Sequence, residues 1–304
     1  MDQVEPRTVD LEQLLIATSR TFALAIPLLP EPTRREVTIA YLLFRVADTF
    51  EDAANWPRPL RIEALERFGE LLEAPDNASE ASRRWADEVP CEQQGYRELL
   101  ADLPAVLDAF FALSPDAVRL IREHTQRTAR GMAGFVARIS EAGELRLEDV
   151  PDLQEYCYVV AGIVGELLTE LFLLGRPGLA PFAARLRERA RAFGEGLQLV
   201  NILKDSASDA VQGRLYLPED VERSVVLDLA RRDLGVAREY VRLLQEAGAE
   251  RGIVAFNALP VALAHATLDR IEAAGPGSKL TRPEVYSIVQ RVNRAFDQGE
   301  PAFS

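Results

Sequence analysis

The feature that most constrains this chain is a hydrophobic segment that ends in acid. Between 37 and 47 the residues are apolar on nearly every side of a helix. A helix of that kind has to lie at the centre of a bundle, with neighbours all round. It runs directly into Asp48-Thr49-Phe50-Glu51-Asp52. Carboxylates are almost never buried without a partner, so a central helix over 33–54 must deliver these three to solvent or to a cation in a cavity.

A second cluster repeats the pattern. Asp205 and Asp209 close a long segment expected to be helical over 179–210. In both clusters the outer carboxylates, Asp48/Asp52 and Asp205/Asp209, stand at i and i+4 and share a helix face, where like charges repel. Mg²⁺ prefers oxygen ligands and is commonly held by one or two carboxylates, with water and substrate phosphate completing its shell. On spacing alone two readings stay open. The clusters are solvated helix ends, or they face one cavity and form a multi-metal diphosphate site.

The rest of the chain reads as helix. Leu, Ala, Arg and Glu dominate, and strand-like alternation is scarce. Asp10 with Gln13 marks a capped helix start, and Pro27, Pro30 and Pro32 separate that helix from the central one. Further helices are expected at about 58–73, 94–112, 115–141, 150–175, 179–210, 226–248, 256–274 and 282–297, with start signals at Ser114-Pro115 and Thr281-Arg282-Pro283-Glu284. The polar stretch 74–94, with Pro75 and Pro90, reads as a long connection, and 273–278 as a loop. No linker divides the 304 residues, so one all-α domain over 1–304 is expected.

Charge and composition exclude several roles. Asp and Glu number 48 against 35 Lys and Arg, a net charge of −13. That is the opposite of the basic footprint of a nucleic-acid binder, and it disfavours docking to anionic lipid through charge. Cys91 and Cys157 make no disulfide framework, and His124 and His265 have no paired-ligand spacing. The N-terminus lacks a signal-peptide pattern. The longest uncharged run, 252–268, is shorter than a membrane span and is interrupted by Asn257, Pro260 and His265. A cytoplasmic protein is expected, with peripheral contact at the inner membrane surface left open. The run from Arg185 to Arg191 reads as a solvated helix face.

Five segments in order carry a resemblance. They are Ser19-Arg20-Thr21-Phe22; Phe44-Arg45-Val46-Ala47-Asp48 continuing to Asp52; Tyr156-Cys157-Tyr158 continuing to Gly165-Glu166; Gly196 through Gln198, Asn201, Lys204 and Asp205 to Asp209; and Gly213-Arg214-Leu215-Tyr216-Leu217-Pro218. Over roughly 12–270 the chain resembles the squalene and phytoene synthases, the head-to-head prenyl synthases. The resemblance implies a single-domain isoprenoid synthase (class I terpenoid synthase) helical bundle around a central cavity. It implies Asp48, Asp52, Asp205 and Asp209 as metal ligands with Glu51 in support. Mg²⁺ is the expected ion and Mn²⁺ the substitute. Arg20, Arg45, Lys204 and Arg214 are implied as contacts to diphosphate, with Ser19 a further substrate-binding candidate, and Arg suits bidentate phosphate binding. Phe22, Tyr156 and Tyr158 would offer aromatic faces to an allylic cation, with Tyr156 beside the reacting carbons. Gln198 and Asn201 would line the reaction centre, unless they form a polar seam between helices. Ala161, Gly162 and Gly165 allow close helix approach or leave room for a lipid chain. The stretch Gly131-Met132-Ala133-Gly134 also resembles a family helix near the cavity.

The motifs sit nearer to bacterial squalene synthases than to phytoene synthases. Ser208 stands where many phytoene synthases have glutamate, Lys204 where arginine is usual, and Leu268 near a usual tyrosine. The implied reaction joins two farnesyl diphosphates through presqualene diphosphate to squalene, with NADPH as reductant. The sequence has no GxGxxG after a strand, and the family's reducing members bind NADPH without that fold. Phytoene, dehydrosqualene, hydroxysqualene or presqualene diphosphate are the alternative products, and geranylgeranyl diphosphate the alternative substrate. A non-catalytic lipid-binding or assembly factor of the same fold would be expected to have lost carboxylates from one cluster, and this chain keeps both. The last 30 residues match none of these segments.

Overall fold

The computed structural model describes residues 9–19, 21–298, 300 and 303. Its elements are α1 (Leu11–Thr18), α2 (Phe22–Ala25), a 3₁₀ turn (Ile26–Leu28), α3 (Thr33–Asp52), α4 (Arg58–Leu71), α5 (Ala78–Glu88), α6 (Gln94–Ala101), α7 (Leu103–Phe111) and α8 (Pro115–Ala137). There follow β1 (Leu145–Arg146), α9 (Val150–Cys157), a π-helical turn (Tyr158–Gly162), α10 (Ile163–Leu173), a second 3₁₀ turn (Pro177–Phe182), α11 (Ala183–Val211), β2 (Arg214–Leu215), α12 (Arg223–Glu246), α13 (Arg251–Ala274) and α14 (Arg282–Asp297). The fold is all-α, as expected, apart from the short parallel ladder in which Leu145 faces Arg214 and Arg146 faces Leu215.

The local signals act as their chemistry requires. The Asp10 carboxylate accepts from the Glu12 and Gln13 amides at 2.9 and 3.2 Å, satisfying two of the unpaired donors at the start of α1. Thr281 and Glu284 form a complete capping box on α14. α3 is central: Ile39, Leu42, Leu43, Val46, Ala47 and Phe50 are fully enclosed. Around it stand α1, α4, α6, α7, α8 and α10, all contributing to one apolar core.

Several expectations are corrected. The 74–94 connection contains α5, whose Ala78, Ser82 and Trp85 form a buried stripe at helical spacing. Trp85 packs edge-on against Phe50 of α3 at 4.7 Å, and Ser82 donates to the Leu100 carbonyl at 2.6 Å. The helix expected over 94–112 is broken at Asp102, because Pro104 lacks the N–H that a continuous helix would use there. The helix expected over 150–175 is interrupted by the π turn. α13 is longer than its uncharged run suggested. Both α13 and the stretch Val150–Leu173 are long and apolar enough to cross a membrane, yet 67% and 61% of their most apolar windows are buried within the molecule.

The small residues of the π segment and α10 serve close approach. A Cβ on Gly165 would lie 2.1 Å from the Ala190 carbonyl oxygen, and one on Gly194 2.0 Å from that of Ala161. The backbones of α10 and α11 therefore touch, with no side chain between them. Gly165→Ala should force these helices apart and destabilise the fold by about 2 kcal/mol or more. Denaturant unfolding of the purified variant checks this, and an unchanged midpoint would refute it.

Candidate functional site

Two helices present a graded face to a common cavity of about 500 Å³. Along α3 the lining residues run Val37, Ala40, Tyr41, Phe44, Arg45, Asp48, Glu51, Asp52. Along α11 they run Phe193, Leu197, Gln198, Asn201, Ile202, Asp205, Asp209. Each series follows the 3.6-residue period and passes from hydrocarbon to carboxylate. The apolar remainder includes Phe22, Ile26, Leu168 and Phe256. Asp52 and Asn201 are exposed and Asp205 and Asp209 half-buried, whereas Glu51 is buried. The acids therefore surround an opening, with Glu51 behind them.

Enclosure and mutual repulsion are visible in the acids' proton affinities. Burial, with Asp52 adding to it and Arg45 opposing, pushes Asp48 up to about 6. Burial likewise pushes Asp209 up to about 6, with Arg214 opposing and Asp205 and Asp52 adding. Glu51 is driven up further, by burial first and by Asp52 next. The influence of Asp52 on Asp209 joins the ends of α3 and α11 in one electrostatic unit.

Cations hold this unit together. Arg45 pairs with Asp48 at 3.2 Å, Arg214 with Asp52 at 2.8 Å, and Lys204 with Asp205 at 3.2 Å. Arg214 also donates to the Asp52 carbonyl at 3.1 Å. Lys204 donates to the Asn201 side-chain oxygen at 3.1 Å. Arg61 of α4, buried and absent from the sequence-based candidates, donates to the Phe50 and Glu51 carbonyls. It thereby offsets the negative end of the α3 dipole where three carboxylates already crowd it.

Tyr156 sits deep in the cavity wall. Its hydroxyl donates to the Tyr216 hydroxyl at 2.8 Å and lies 3.4 Å from a Glu51 oxygen. The two rings stack at 4.5 Å, and Phe135 meets Tyr156 edge-on at 5.1 Å. Burial, reinforced by Glu51, keeps both phenols well above their ordinary pKa, so both are neutral. Tyr216 was legible as part of the Gly213–Pro218 segment, but nothing in its spacing pointed to Tyr156. The β1–β2 ladder supplies the link. Leu145 donates to the Gly213 carbonyl at 2.8 Å, and Gly213 takes φ +75°, a conformation that favours glycine.

The structure brings most of the candidates together. Phe22, Arg45, Asp48, Glu51, Asp52, Tyr156, Gln198, Asn201, Asp205, Asp209 and Arg214 line the cavity, as do Ala161, Gly165 and Met132. Lys204 does not line it and reaches it only through Asn201 and Asp205. Ser19 does not line it either, and its hydroxyl caps α2 by accepting from the Phe22 and Ala23 amides. Arg20 lies outside the described residues. Tyr158 points elsewhere, to Arg127 and Glu166, with Arg191 over its ring at 4.4 Å. His124 is a satisfied core residue, its Nδ1 2.7 Å from the Leu120 carbonyl. Arg187 pairs with Glu170 on the surface, in keeping with a solvated face, whereas Arg191 pairs with the buried Glu195.

Among the described residues, no three Asp, Glu, His or Cys side chains close on one point as a ready-made cation cage. Pairs of hard oxygen donors at an open mouth fit Mg²⁺, which takes its other ligands from water and phosphate. Asp48/Asp52 and Asp205/Asp209 would hold it.

Comparison with known proteins gives a consistent picture. The squalene/phytoene synthase family profile matches residues 15–286, beyond the stretch carried by the motifs. Botryococcus squalene synthase from Botryococcus braunii is 30% identical over 71% of this chain and 44% of its own length. Squalene synthase from Eremothecium gossypii is 31% identical over 72% and 47%. The chain spans about half the length of the curated relatives it matches. A solved structure of TcSQS with the ligand BPH1237 has 26% identity and a TM-score of 0.72, covering 92% of this chain and 84% of that one. A dehydrosqualene synthase structure with 21% identity and a TM-score of 0.60, covering 95% of each chain, shares the fold.

One more acid lies on α11, away from the cavity lining. Glu195 is buried against the π turn and bonded to Arg191 at 2.6 Å. Burial pushes it up to about 7, with Arg191 and Arg232 opposing and Asp233 adding. Because the folded state binds this proton more tightly, the stabilisation is complete below pH 4.5 and is lost as pH rises to about 7. Glu195→Gln should remove a loss on the order of 1–3 kcal/mol between pH 5 and 8. Urea midpoints at the two pH values test this, and an unchanged difference between them would contradict it.

Proposed function

The chain belongs to the squalene/phytoene synthase family, and from that premise we propose that it is a prenyltransferase joining two farnesyl diphosphates head to head, through presqualene diphosphate, to squalene. In the first half-reaction a carbon–carbon bond forms, and one diphosphate and one proton leave. In the second, the remaining diphosphate leaves, the skeleton rearranges, and hydride from NADPH quenches the cation to give squalene and NADP⁺. The observation that carries this reading is the pair of acid sets, Asp48/Asp52 and Asp205/Asp209, at the mouth of a cavity whose wall also carries Phe22, Ile26, Leu168 and Phe256.

Mg²⁺, when bound, neutralises charge on the departing diphosphate. The chain's own residues do the rest. The four aspartates hold the metal, with Glu51 in support. Arg45 and Arg214 donate to phosphate oxygens, and Lys204 adds positive charge at Asn201 and Asp205. Gln198 and Asn201 orient the reacting ends. The stacked faces of Tyr156 and Tyr216 supply π-density to the allylic cation. The Tyr156 hydroxyl would accept the departing proton while passing its own to the Glu51 carboxylate, 3.4 Å away. Phe22, Ile26, Leu168 and Phe256 exclude water from the cation. The hydrocarbon product supports a peripheral position at the inner face of the membrane.

Purified protein with Mg²⁺ and farnesyl diphosphate should release inorganic diphosphate, and no release would end the proposal. Asp52→Ala and Asp205→Ala should each lower turnover on the order of a hundredfold or more, with the helical circular dichroism spectrum retained. Product analysis separates the branches. Squalene only when NADPH is present supports the reading, whereas dehydrosqualene or hydroxysqualene regardless of NADPH overturns its reductive half. A preference for geranylgeranyl diphosphate would overturn the substrate assignment.

A further inference from the structure

Among the described residues, Arg45 is the only candidate diphosphate cation with aromatic rings against its guanidinium. Its central carbon lies 5.6 Å from the Tyr41 ring centroid and 5.5 Å from that of Tyr96. Tyr41 stands one turn back on α3 and lines the cavity. Tyr96 comes from α6, belongs to none of the sequence motifs and does not line the cavity.

The hydrogen bonds alone leave this guanidinium loosely held. One terminal nitrogen pairs with Asp48 at 3.2 Å, and the other donates to the Tyr41 hydroxyl at 3.2 Å. Tyr41 in turn donates to the Thr18 carbonyl at 2.9 Å. The Arg45 Nε–H is buried without a partner. A guanidinium has five N–H donors, so two hydrogens on the terminal nitrogens stay uncommitted. The rings supply the remaining restraint. α6 is packed backbone against backbone on α1, since a Cβ on Gly95 would come within 2.5 Å of the Ala17 carbonyl oxygen. The Tyr96 hydroxyl makes no hydrogen bond among the described residues, so its ring is the part that acts.

We infer that Tyr96 is a positioning residue for diphosphate binding: its ring, with that of Tyr41, fixes the Arg45 guanidinium so that its two uncommitted N–H groups face the cavity mouth. This rests on Arg45 being a diphosphate ligand, as proposed above. Cation–π contact restrains the cation without consuming any of its donors, which an extra carboxylate partner could not do.

The test measures binding of inorganic pyrophosphate, with Mg²⁺, to the full chain. Tyr96→Leu and Tyr96→Met, which keep bulk but lose the π face, should weaken it about fivefold or more, while Tyr96→Phe should restore it to within about twofold. In an Arg45→Ala background, Tyr96→Leu should add nothing. Folded Tyr96→Leu protein that binds pyrophosphate like the unaltered chain overturns the inference. So does an equal further loss in the Arg45→Ala background. Failure of both Tyr96→Leu and Tyr96→Met to fold assigns Tyr96 to packing and also overturns it. If the unaltered chain binds no pyrophosphate with Mg²⁺, the diphosphate reading itself fails and takes this inference with it.

Discussion

Repulsion among Asp48, Glu51, Asp52, Asp205 and Asp209 is the constraint around which the molecule is arranged. Two helices deliver these acids C-terminally, where the helix dipole already disfavours negative charge. The arrangement persists because α3 and α11 are fixed elsewhere along their length, by an apolar core on one and by glycine-mediated contact with α10 on the other. Arg45, Arg61, Arg214 and Lys204 then offset the local charge. Each arrives from a different constraint: the rings of Tyr41 and Tyr96, the start of α4, the β1–β2 ladder, and α11 itself, where Lys204 precedes Asp205. The net charge of −13 is thus unevenly distributed, with a concentrated share enclosed at one opening.

Both acid clusters were legible because i, i+4 spacing fixes which residues share a face, and the apolar series before each fixes where that face points. Helices with caps were legible for the same local reasons, as α14 shows. What escaped depended on partners distant in sequence. α5 is mostly polar, and its three core positions gain meaning only when Trp85 meets Phe50. Arg61 looks like any surface arginine until the end of α3 comes to rest against it. Tyr216 lay within a quoted segment, but its stacking on Tyr156 needs the ladder between residues that are 69 apart. Ser19 shows a different limit: a motif residue read for substrate contact also caps a four-residue helix, a local role its motif did not announce.

Hydropathy was similarly ambiguous. The helical stretch Val150–Leu173 and α13 have the length and composition of membrane spans, yet both lie mostly inside the molecule. A helix surrounded by protein hydrocarbon and one surrounded by lipid hydrocarbon satisfy the same scale. Only neighbours distinguish them, and here α11 provides neighbours to both.

The 29 residues of α11 have a consequence for how such a cavity can diverge. From Phe193 to Asp205 one uninterrupted rod carries the hydrocarbon lining and the acids, about 18 Å apart at the usual helical rise. Inserting a single residue between them would rotate everything beyond it by about 100°, turning Asp205 and Asp209 out of the mouth. Descendants of this chain can therefore deepen or shorten the cavity by trading side-chain volume at its walls, whereas insertions and deletions within the rod are closed to them.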